Sequence, residues 1–274
     1  MRRPSQPPSQ PTPSQPLPQP AASEPPTHLA RLARFYECAY THEPAEADLY
    51  ARWRALGAVA KADHVTALCA RAGIKPASTL EVGCGDGALL CELHRRGFGG
   101  RLSGVEISRT AVSIAAGRPQ IDSVALYDGL HLPSRDREYE LGIVCHVLEH
   151  VPNPVGVLAE VARTCQAAVV EVPLEANCSA RRRSRRQQAV DIGHLQRLDR
   201  AAARQIVTGA GLVIAGELED ALPLEAHRFL ARTRRARAGA VAKWALRAAL
   251  HRAMPGVARR LFTVHYACLC LPAS

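Results

Sequence analysis

The chain has 274 residues, 47% of them hydrophobic, which is enough apolar material for a sizeable core and excludes wholesale disorder. Lys and Arg outnumber Asp and Glu by 35 to 25, and the net charge of +10 either favours acidic partners or reflects an arginine-rich solvated surface. No uncharged apolar run approaches the ~18 residues of a membrane span, and the N-terminus lacks the apolar region of a signal peptide, so we expect a cytoplasmic protein.

Two segments precede the first predicted strand. Residues 1–27 hold 10 of the 20 prolines, mixed with Ser and Gln, which predicts a disordered tail. Residues 28–75 carry apolar side chains at helical spacing, which predicts two N-terminal cap helices. Five of the twelve aromatic residues fall between positions 35 and 53, where they either form a lid over a ligand or pack in the core.

Along residues 76–274, short apolar runs alternate with amphipathic stretches. The runs predict strands over 78–83, 102–107, 124–127, 141–147, 167–173, 212–217 and 262–271. Helical patterns lie near 87–97, 108–117, 154–165 and 198–210. Because such alternation is typical of a parallel sheet covered on both faces, we predict an α/β, doubly wound (Rossmann-like) domain.

The most informative stretch is a buried strand that runs into a glycine-rich turn, Glu81-Val82-Gly83-Cys84-Gly85-Asp86-Gly87. Glycines let the backbone turn sharply and let a ligand approach where a Cβ would collide. The pattern Gly83-x-Gly85-x-x-Ala88 also fits the relaxed dinucleotide fingerprint, which would make the chain an NAD(P)-dependent oxidoreductase.

Three carboxylates test whether the ligand is a dinucleotide. Glu106 ends the second strand, 21 residues after Gly85, where a dinucleotide or any other nucleoside ligand needs an acceptor for its ribose hydroxyls. Glu81 lies two residues before Gly83 and suits a cationic amino group better than a pyrophosphate. Asp128 ends the third strand and can accept from an adenine amino group. Three carboxylates around one crevice favour a positively charged ligand.

With these motifs, residues 76–215 resemble the class I S-adenosylmethionine-dependent methyltransferases of the small-molecule type. The resemblance lies in the loop Glu81–Gly87, the run Gly104–Ser108, the pair Asp128-Gly129 and the stretch Val147–Pro154. It implies a seven-stranded, mostly parallel sheet whose last strand is antiparallel. It also implies S-adenosyl-L-methionine as the cofactor.

The resemblance further implies which residues hold the cofactor. The turn Gly83-Cys84-Gly85 would cradle the methionine part, with Glu81 near its amino group. The backbone carbonyl of Cys145 or His146, at the end of the fourth strand, would accept from the same group. Glu106 would hold the ribose hydroxyls and Ile107 would lie against the adenine, whose edge Asp128 and the amide of Gly129 would recognise.

The fourth strand ends Val144-Cys145-His146, with neither a second carboxylate nor an NPPY-type tetrapeptide. This departure argues against the adenine-methylating and amide-methylating branches of the family. It favours O-, N- or C-methylation of a small molecule, and among these we predict transfer to an oxygen or nitrogen atom.

Two histidines are candidate catalytic residues. A general base is needed only if the acceptor arrives protonated, and histidine is the usual base near neutral pH. His150 follows the fourth strand beside Glu149, where it either meets the acceptor or fixes the loop. His194 lies in Gly193-His194-Leu195, which resembles a Gly-His-hydrophobic signature of small-molecule methyltransferases, or else serves the entry of a helix.

Two basic segments bear on the acceptor. The predicted substrate loop, 174–197, holds five arginines between positions 181 and 186, which either bind an acidic acceptor or form an exposed, flexible charge run. Because the loop lacks aromatic residues, its pattern argues against a nucleic-acid acceptor. The helical insert 228–260 holds ten Lys or Arg and no acid, and can contact an anionic membrane, cap a lipophilic acceptor or pack on the domain.

The nine cysteines are odd in number and contain no pair of CxxC motifs, so we predict free thiols and no metal site. A catalytically inactive, cofactor-binding regulatory module is an alternative to the enzyme. Such a module would lack the acidic residues that bind the cofactor, whereas Glu81 and Glu106 are both present in this sequence.

Overall fold

The computed structural model describes residues 27–40, 44–229, 231 and 233–273. Two helices lead into the domain, α1 (Thr27–Ala39) and α2 (Pro44–Arg71). The predicted tail lies outside the described residues except for Thr27, so its disorder stays a prediction.

Strands and helices alternate over most of the remaining chain. The strands are β1 (Ser78–Val82), β2 (Arg101–Glu106), β3 (Ser123–Leu126), β4 (Tyr139–Cys145), β5 (Cys165–Pro173), β6 (Leu212–Ala221) and β7 (Val264–Pro272). The helices are α3 (Ala88–Arg95), α4 (Arg109–Ala116), α5 (Pro154–Thr164), α6 (Arg183–Asp191), α7 (Arg200–Gly209), α8 (Leu224–Phe229), α9 (Arg234–Ala253) and α10 (Pro255–Leu261). A 3-10 turn covers Leu148–His150 after β4.

The seven strands form one sheet in the order β3-β2-β1-β4-β5-β7-β6. β7 runs antiparallel to both β5 and β6, and the other neighbours pair in parallel. The predicted fold class, a doubly wound and mostly parallel sheet of seven strands, is therefore confirmed. Because the strand order reverses between β1 and β4, their carboxyl ends flank the crevice in which doubly wound proteins bind ligands.

Helices cover both faces of the sheet with apolar side chains. On one face α2 and α3 bury Ala62, Leu68 and Leu93 against β4, β5 and β7. On the other face α5 and α7 bury Leu158 and Val207. Both predicted N-terminal helices are present, but the second half of α2 is a layer of the core, because its small and branched side chains face the sheet.

Prediction and structure differ most after β5. The sequence pattern predicts an irregular stretch from Leu174 to Gly193, whereas α6 forms over Arg183–Asp191. Side chains 181–187 are exposed, so the helix lacks the apolar stripe by which an amphipathic helix is recognised.

The basic segment 228–260 spans the end of α8, all of α9 and most of α10. α9 packs on α8, α10 and β6 without burying any side chain fully. Within the described ranges, no helix has both the length and the apolar character of a membrane span. Contact of this segment with an anionic membrane surface stays a prediction.

A tight turn before β2 sets this strand beside β1. Gly100 has a φ of 60°, and the N–H of Arg101 donates to the carbonyl of Ala77 at 2.9 Å. A Cβ at Gly100 would lie 2.1 Å from the same carbonyl oxygen, closer than any real contact. Only glycine therefore fits this approach of the turn to Ala77.

We expect Gly100→Ala to destabilise the domain more than the matched variant Gly97→Ala. Both residues have left-handed backbone, which costs a residue with a Cβ about 1 kcal/mol, but a Cβ at Gly97 would meet nothing within 4 Å. The collision at Gly100 should add about 1–3 kcal/mol to the loss of unfolding free energy. Urea unfolding followed by circular dichroism measures the difference, and equal losses would contradict the close approach to Ala77.

Candidate functional site

The carboxyl ends of β1, β2, β4 and β5 open into a cavity of about 1610 Å³. Helices α1, α2, α6 and α9 supply further walls, and the five aromatic residues between positions 35 and 53 line it. The cavity reaches from the glycine turn to the segment around His194. With the exception of Asp128, the predicted cofactor-binding and catalytic residues therefore surround one space.

The turn after β1 has the left-handed backbone that glycine adopts easily. Gly83 and Gly85 have φ angles of 72° and 54°. A Cβ at Gly83 would lie 2.6 Å from Cγ2 of Val147, and one at Gly85 would lie 2.5 Å from the hydroxyl of Tyr40. Cys84 packs its side chain in a small core cluster. The turn thus presents mainly backbone to the cavity.

Glu81, near the end of β1, is a buried carboxylate that lines the cavity. It is 4% exposed, and its Oε2 accepts no hydrogen bond from the described residues. Burial raises the pKa of Glu81 to about 8, although the charge of Lys61 opposes this shift. Because a buried carboxylate oxygen without a partner is costly, this position suits a cationic group of a ligand.

Glu106 ends β2 beside the glycine turn. Its Oε2 accepts from the N–H of Gly85 at 2.9 Å, and its Oε1 accepts from Ile107 at 2.7 Å and Ser108 at 3.1 Å. Burial raises the pKa of Glu106, and these three backbone hydrogen bonds oppose the shift. A carboxylate has about four acceptor positions, so Glu106 is held in place with capacity left for a ligand hydroxyl.

Three further residues are expected around the adenine of the cofactor. Ile107 and Gly129 line the cavity. Asp128 turns its carboxylate onto its own loop, where Oδ1 accepts from the N–H groups of Leu130 and His131, both at 2.7 Å. Aspartate readily caps a loop in this way, and a role of Asp128 at the adenine stays a prediction.

Helix α1 is fastened to the start of α4. The carboxylate of Glu37 accepts from the hydroxyl of Ser108 at 2.9 Å and from the N–H of Thr110 at 3.2 Å. Hydrogen bonds from Thr110 and Ser108 lower the pKa of Glu37. Tyr36 and Tyr40 line the cavity from this end of the chain, and burial raises the pKa of both hydroxyls. Helix α1 is thus a fixed wall of the site.

Glu171 of β5 gathers three histidines from separate elements. Its Oε2 lies 2.8 Å from Nδ1 of His64 in α2, and its Oε1 lies 3.1 Å from Nε2 of His146 and 3.4 Å from Nδ1 of His265 in β7. Burial opposes the ionised form of Glu171, but its contacts with His146 and His64 hold the pKa of Glu171 well below its usual range. Hydrogen bonds to Asp220 and Glu171 likewise outweigh burial and raise the pKa of His64 to about 9.

His146 has a φ of 60°, a left-handed backbone that is uncommon for a residue with a Cβ. Its N–H donates to the carbonyl of Glu171 at 2.9 Å, and its ring lies between the carboxylates of Glu149 and Glu171. The contact of its carbonyl with the cofactor stays a prediction.

Both candidate catalytic histidines lie together in the cavity. The rings of His150 and His194 meet edge to face, with centroids 4.7 Å apart. Nδ1 of His150 lies 3.2 Å from the carbonyl of Gly193, and Nδ1 of His194 lies 2.8 Å from Oε2 of Glu175. Burial lowers the pKa of His150 to about 4, so its ring is neutral near pH 7.

Another wall of the cavity is cationic. Arg182 precedes α6, Lys243 and Arg247 lie in α9, and all three line the cavity. Burial and the charge of Arg247 lower the pKa of Lys243, and burial with the charges of Arg185 and Arg182 lowers the pKa of Arg247. The neighbouring charges that lower the pKa values of Lys243 and Arg247 are therefore all positive. Such mutual repulsion favours an anionic ligand.

Three residues of the site escape sequence analysis: His64, Glu171 and His265. Glu171 leaves a usable signal, because it is a charged residue inside the apolar run of β5. His64 lies in the middle of a long helix and His265 begins a strand region, and only the strand order brings them to Glu171.

Comparisons with known proteins agree with this architecture. A family model described as a methyltransferase domain matches residues 50–216. A search of curated proteins finds no match.

Solved structures share the fold at low sequence identity. Geranyl diphosphate C-methyltransferase from Streptomyces coelicolor A3(2) has a TM-score of 0.61 and 15% identity, over 90% of this chain and 99% of that one. A possible histamine N-methyltransferase from Thermotoga maritima has a TM-score of 0.57 and 12% identity, over 88% and 99%. Phosphoethanolamine N-methyltransferase 2 from Haemonchus contortus has a TM-score of 0.51 and 12% identity, over 72% and 49%.

The family match covers more than half of the chain, and it includes the glycine turn, Glu106 and both candidate catalytic histidines. The similar structures share the fold, with TM-scores of 0.61 and 0.57 for the first two. The chain therefore belongs to the methyltransferase-domain family and is a class I S-adenosylmethionine-dependent methyltransferase.

Proposed function

We propose that S-adenosyl-L-methionine binds along the carboxyl ends of β1 and β2, and that the chain transfers its methyl group to an oxygen or nitrogen atom of a small anionic molecule. The observation that carries this proposal is the buried carboxyl group of Glu81 beside the glycine turn, whose Oε2 has no hydrogen-bond partner among the described residues. The ligand has the cationic amino group that such a carboxylate requires.

The residues at the turn fit the different parts of this cofactor. Gly83 and Gly85 leave room for its methionine part, and Glu81 would bind the amino group of that part. Glu106, held by three backbone amides, would accept from the ribose hydroxyls. Ile107 and Gly129 line the cavity beyond Glu106, where they would contact the adenine.

When bound, S-adenosyl-L-methionine supplies a sulfonium methyl group that is already activated for transfer. The protein then has to hold the acceptor atom in line with that group and keep water away. Helix α1, fastened through Glu37, would provide the wall that excludes water, with Tyr36 and Tyr40 facing the cavity.

The cationic wall supports an anionic acceptor. Arg182, Lys243 and Arg247 border the same cavity as the glycine turn, so a phosphate or carboxylate bound there would lie within the reach of one small molecule. Geranyl diphosphate, which the Streptomyces coelicolor methyltransferase binds, is a molecule of this kind. His150 and His194 would handle the proton of the acceptor.

Two alternatives have distinct consequences. Membership of the methyltransferase family argues against an NAD(P)-dependent oxidoreductase, which would bind NADH. A catalytically inactive regulatory module would bind S-adenosyl-L-methionine but release no S-adenosylhomocysteine with any acceptor.

S-adenosyl-L-methionine and S-adenosylhomocysteine should raise the thermal stability of the purified chain, because a ligand at 100 times its Kd adds about 2.7 kcal/mol to the unfolding free energy. Glu106→Ala should weaken binding of both ligands by about 1–3 kcal/mol through loss of charge-assisted hydrogen bonds. Calorimetric titration measures the affinities.

The matched control is Asp136→Ala, which removes an exposed carboxylate that pairs with Arg163 at 2.8 Å. This variant should bind as the wild type does. Unchanged affinity in Glu106→Ala would remove Glu106 from the site, and stabilisation by NADH alone would restore the oxidoreductase alternative.

Binding of S-adenosyl-L-methionine should depend on pH through Glu81. Because the pKa of Glu81 is raised to about 8, the free protein holds this carboxyl mostly protonated near pH 7, and the ligand's amino group binds the ionised form. Binding should release a proton, and affinity should rise by up to about tenfold per pH unit between about pH 6 and pH 8.

Titrations in buffers of different ionisation enthalpy measure this proton release. Glu81→Gln should remove most of the slope, since the amide does not titrate. A slope that persists in Glu81→Gln would assign the dependence to another group.

Lys243→Gln combined with Arg247→Gln should impair methylation of anionic acceptors. In a panel of phenols and amines with and without a phosphate or carboxylate group, KM for the anionic members should rise about tenfold or more, since each lost charge-assisted hydrogen bond costs about 1.5–3 kcal/mol. Release of S-adenosylhomocysteine measures turnover. Arg235→Gln removes an exposed cation from the same helix and should change nothing. Turnover confined to neutral acceptors would contradict an anionic acceptor.

A further inference from the structure

We propose that Glu149, His150 and His194 bind one divalent transition-metal ion of the Zn²⁺ type on the acceptor side of the cavity. One donor atom of each residue lies within 4.8 Å of the others, and all three residues line the cavity. The cysteine spacing predicts no metal, but these ligands are histidines and a carboxylate from two separate loops.

The two imidazoles are already oriented as metal ligands. Nδ1 of His150 faces the carbonyl of Gly193 at 3.2 Å, and Nδ1 of His194 faces the carboxylate of Glu175 at 2.8 Å. Both partners can only accept, so each Nδ1 carries the hydrogen and each Nε2 keeps its lone pair free. A ring N–H held by a carbonyl or carboxylate is the usual outer support of a metal-bound histidine.

The third ligand is a buried carboxylate whose nearest described partner is the ring of His146. Glu149 is 1% exposed, and neither of its oxygens accepts a hydrogen bond from the described residues. Nδ1 of His146 lies 3.3 Å from Oε1 and Nε2 of His150 lies 3.9 Å from it. The ring of His146 compensates part of this buried charge, and a metal ion between Glu149 and the two imidazoles would give the carboxylate the ligand bond that it lacks.

Backbone hydrogen bonds fix the two loops that carry the ligands. The N–H groups of Leu195 and Gln196 donate to the carbonyl of Glu149 at 2.8 and 3.1 Å. The side chain of Gln196 donates to the carbonyl of Val151 at 2.7 Å. The segment around His194 is therefore held against the turn that carries Glu149 and His150. Ligands of one Zn²⁺ lie about 3.4 Å apart, so small side-chain rotations complete the site.

The donor set selects the metal. Two nitrogens and one carboxylate oxygen suit Zn²⁺, Co²⁺, Mn²⁺ or Fe²⁺, whereas Mg²⁺ prefers oxygen ligands alone. Three protein ligands leave a coordination position toward the cavity, as in catalytic zinc sites.

A neighbouring group, His146, Glu171 and His265, is a weaker candidate. Both oxygens of Glu171 already contact imidazole nitrogens, with Oε2 at 2.8 Å from His64 and Oε1 at 3.1 Å from His146. A metal there would have to displace contacts that neutralise Glu171.

The role of the metal rests on the proposed function, and it replaces proton transfer by His150 and His194, whose Nε2 atoms would then be metal ligands. A hydroxyl of the acceptor bound at the open position would lose its proton to solvent at a lower pH than in water. The resulting oxygen anion would form a bond to the methyl carbon as the bond from that carbon to sulfur breaks, leaving S-adenosylhomocysteine as a neutral thioether.

The experiment is a titration of the full chain, freed of metal by dialysis against a chelator, with Co²⁺ and then with Zn²⁺ in competition. The visible spectrum of Co²⁺ reports nitrogen ligands and needs no acceptor. We expect one Co²⁺ per chain, displaced by Zn²⁺, with Mg²⁺ at least about tenfold weaker.

Variants identify the ligands. His194→Ala and Glu149→Gln should each weaken Co²⁺ binding by about 100-fold or more, and Glu175→Gln by about 10–100-fold, because it removes only the support of His194. His131→Ala is the matched control, since it removes an exposed histidine that lies 3.1 Å from Asp128. It should bind Co²⁺ as the wild type does.

Several results would overturn the proposal: no saturable uptake of Co²⁺, equal uptake in the wild type and His194→Ala, or loss of uptake in His265→Ala but not in His194→Ala. Circular dichroism and binding of S-adenosyl-L-methionine in the same samples show that each variant is folded. A chain that binds S-adenosyl-L-methionine but takes up no Co²⁺ would refute the metal site alone. A chain that takes up Co²⁺ but does not bind S-adenosyl-L-methionine would refute the proposed cofactor site alone.

Discussion

Neutralising one buried charge organises the part of the cavity around the ends of β4 and β5. Glu171 is 0% exposed, and a carboxylate at such depth is stable only with partners that compensate its charge. The partners are imidazoles from α2, from the end of β4 and from β7. Because these elements are distant in sequence, the interaction fixes the relative positions of the chain segments that border the cavity. His146 extends the arrangement toward Glu149, in the turn that also carries His150.

The antiparallel course of β7 makes this cluster possible. β7 lies between β5 and β6 and pairs His265 with Pro173, the last residue of β5. The first residues of β7 therefore lie at the edge of the sheet where the parallel strands end. In a parallel strand, the same residues would lie at the opposite edge, away from Glu171. The strand direction that the methyltransferase resemblance implies thus places a histidine at the site.

The sequence was sufficient wherever a local pattern has one structural solution. The apolar runs predict all seven strands, and Glu81 and Glu106 follow as neighbours because parallel strands end at one edge of a sheet. The pattern failed for α6, whose exposed side chains carry no apolar stripe. It could not show that Asp128 caps its own loop, or that His64 and His265 meet at Glu171, because such contacts depend on loop conformation and strand order rather than on spacing.

The cavity separates charge in a way that the net charge of +10 conceals. Glu81 and Glu106 place acidic groups at the glycine turn, whereas Lys243 and Arg247 place cations on the wall that α9 provides. Under the proposed function, a cationic methyl donor would be attracted to one end and an anionic acceptor to the other. Burial also raises the pKa of Glu81 to about 8, so the attraction at the glycine turn develops as Glu81 ionises on binding of the donor. Exchange of the two proposed ligands would bring like charges together, so the charge separation supports one placement of donor and acceptor in the cavity.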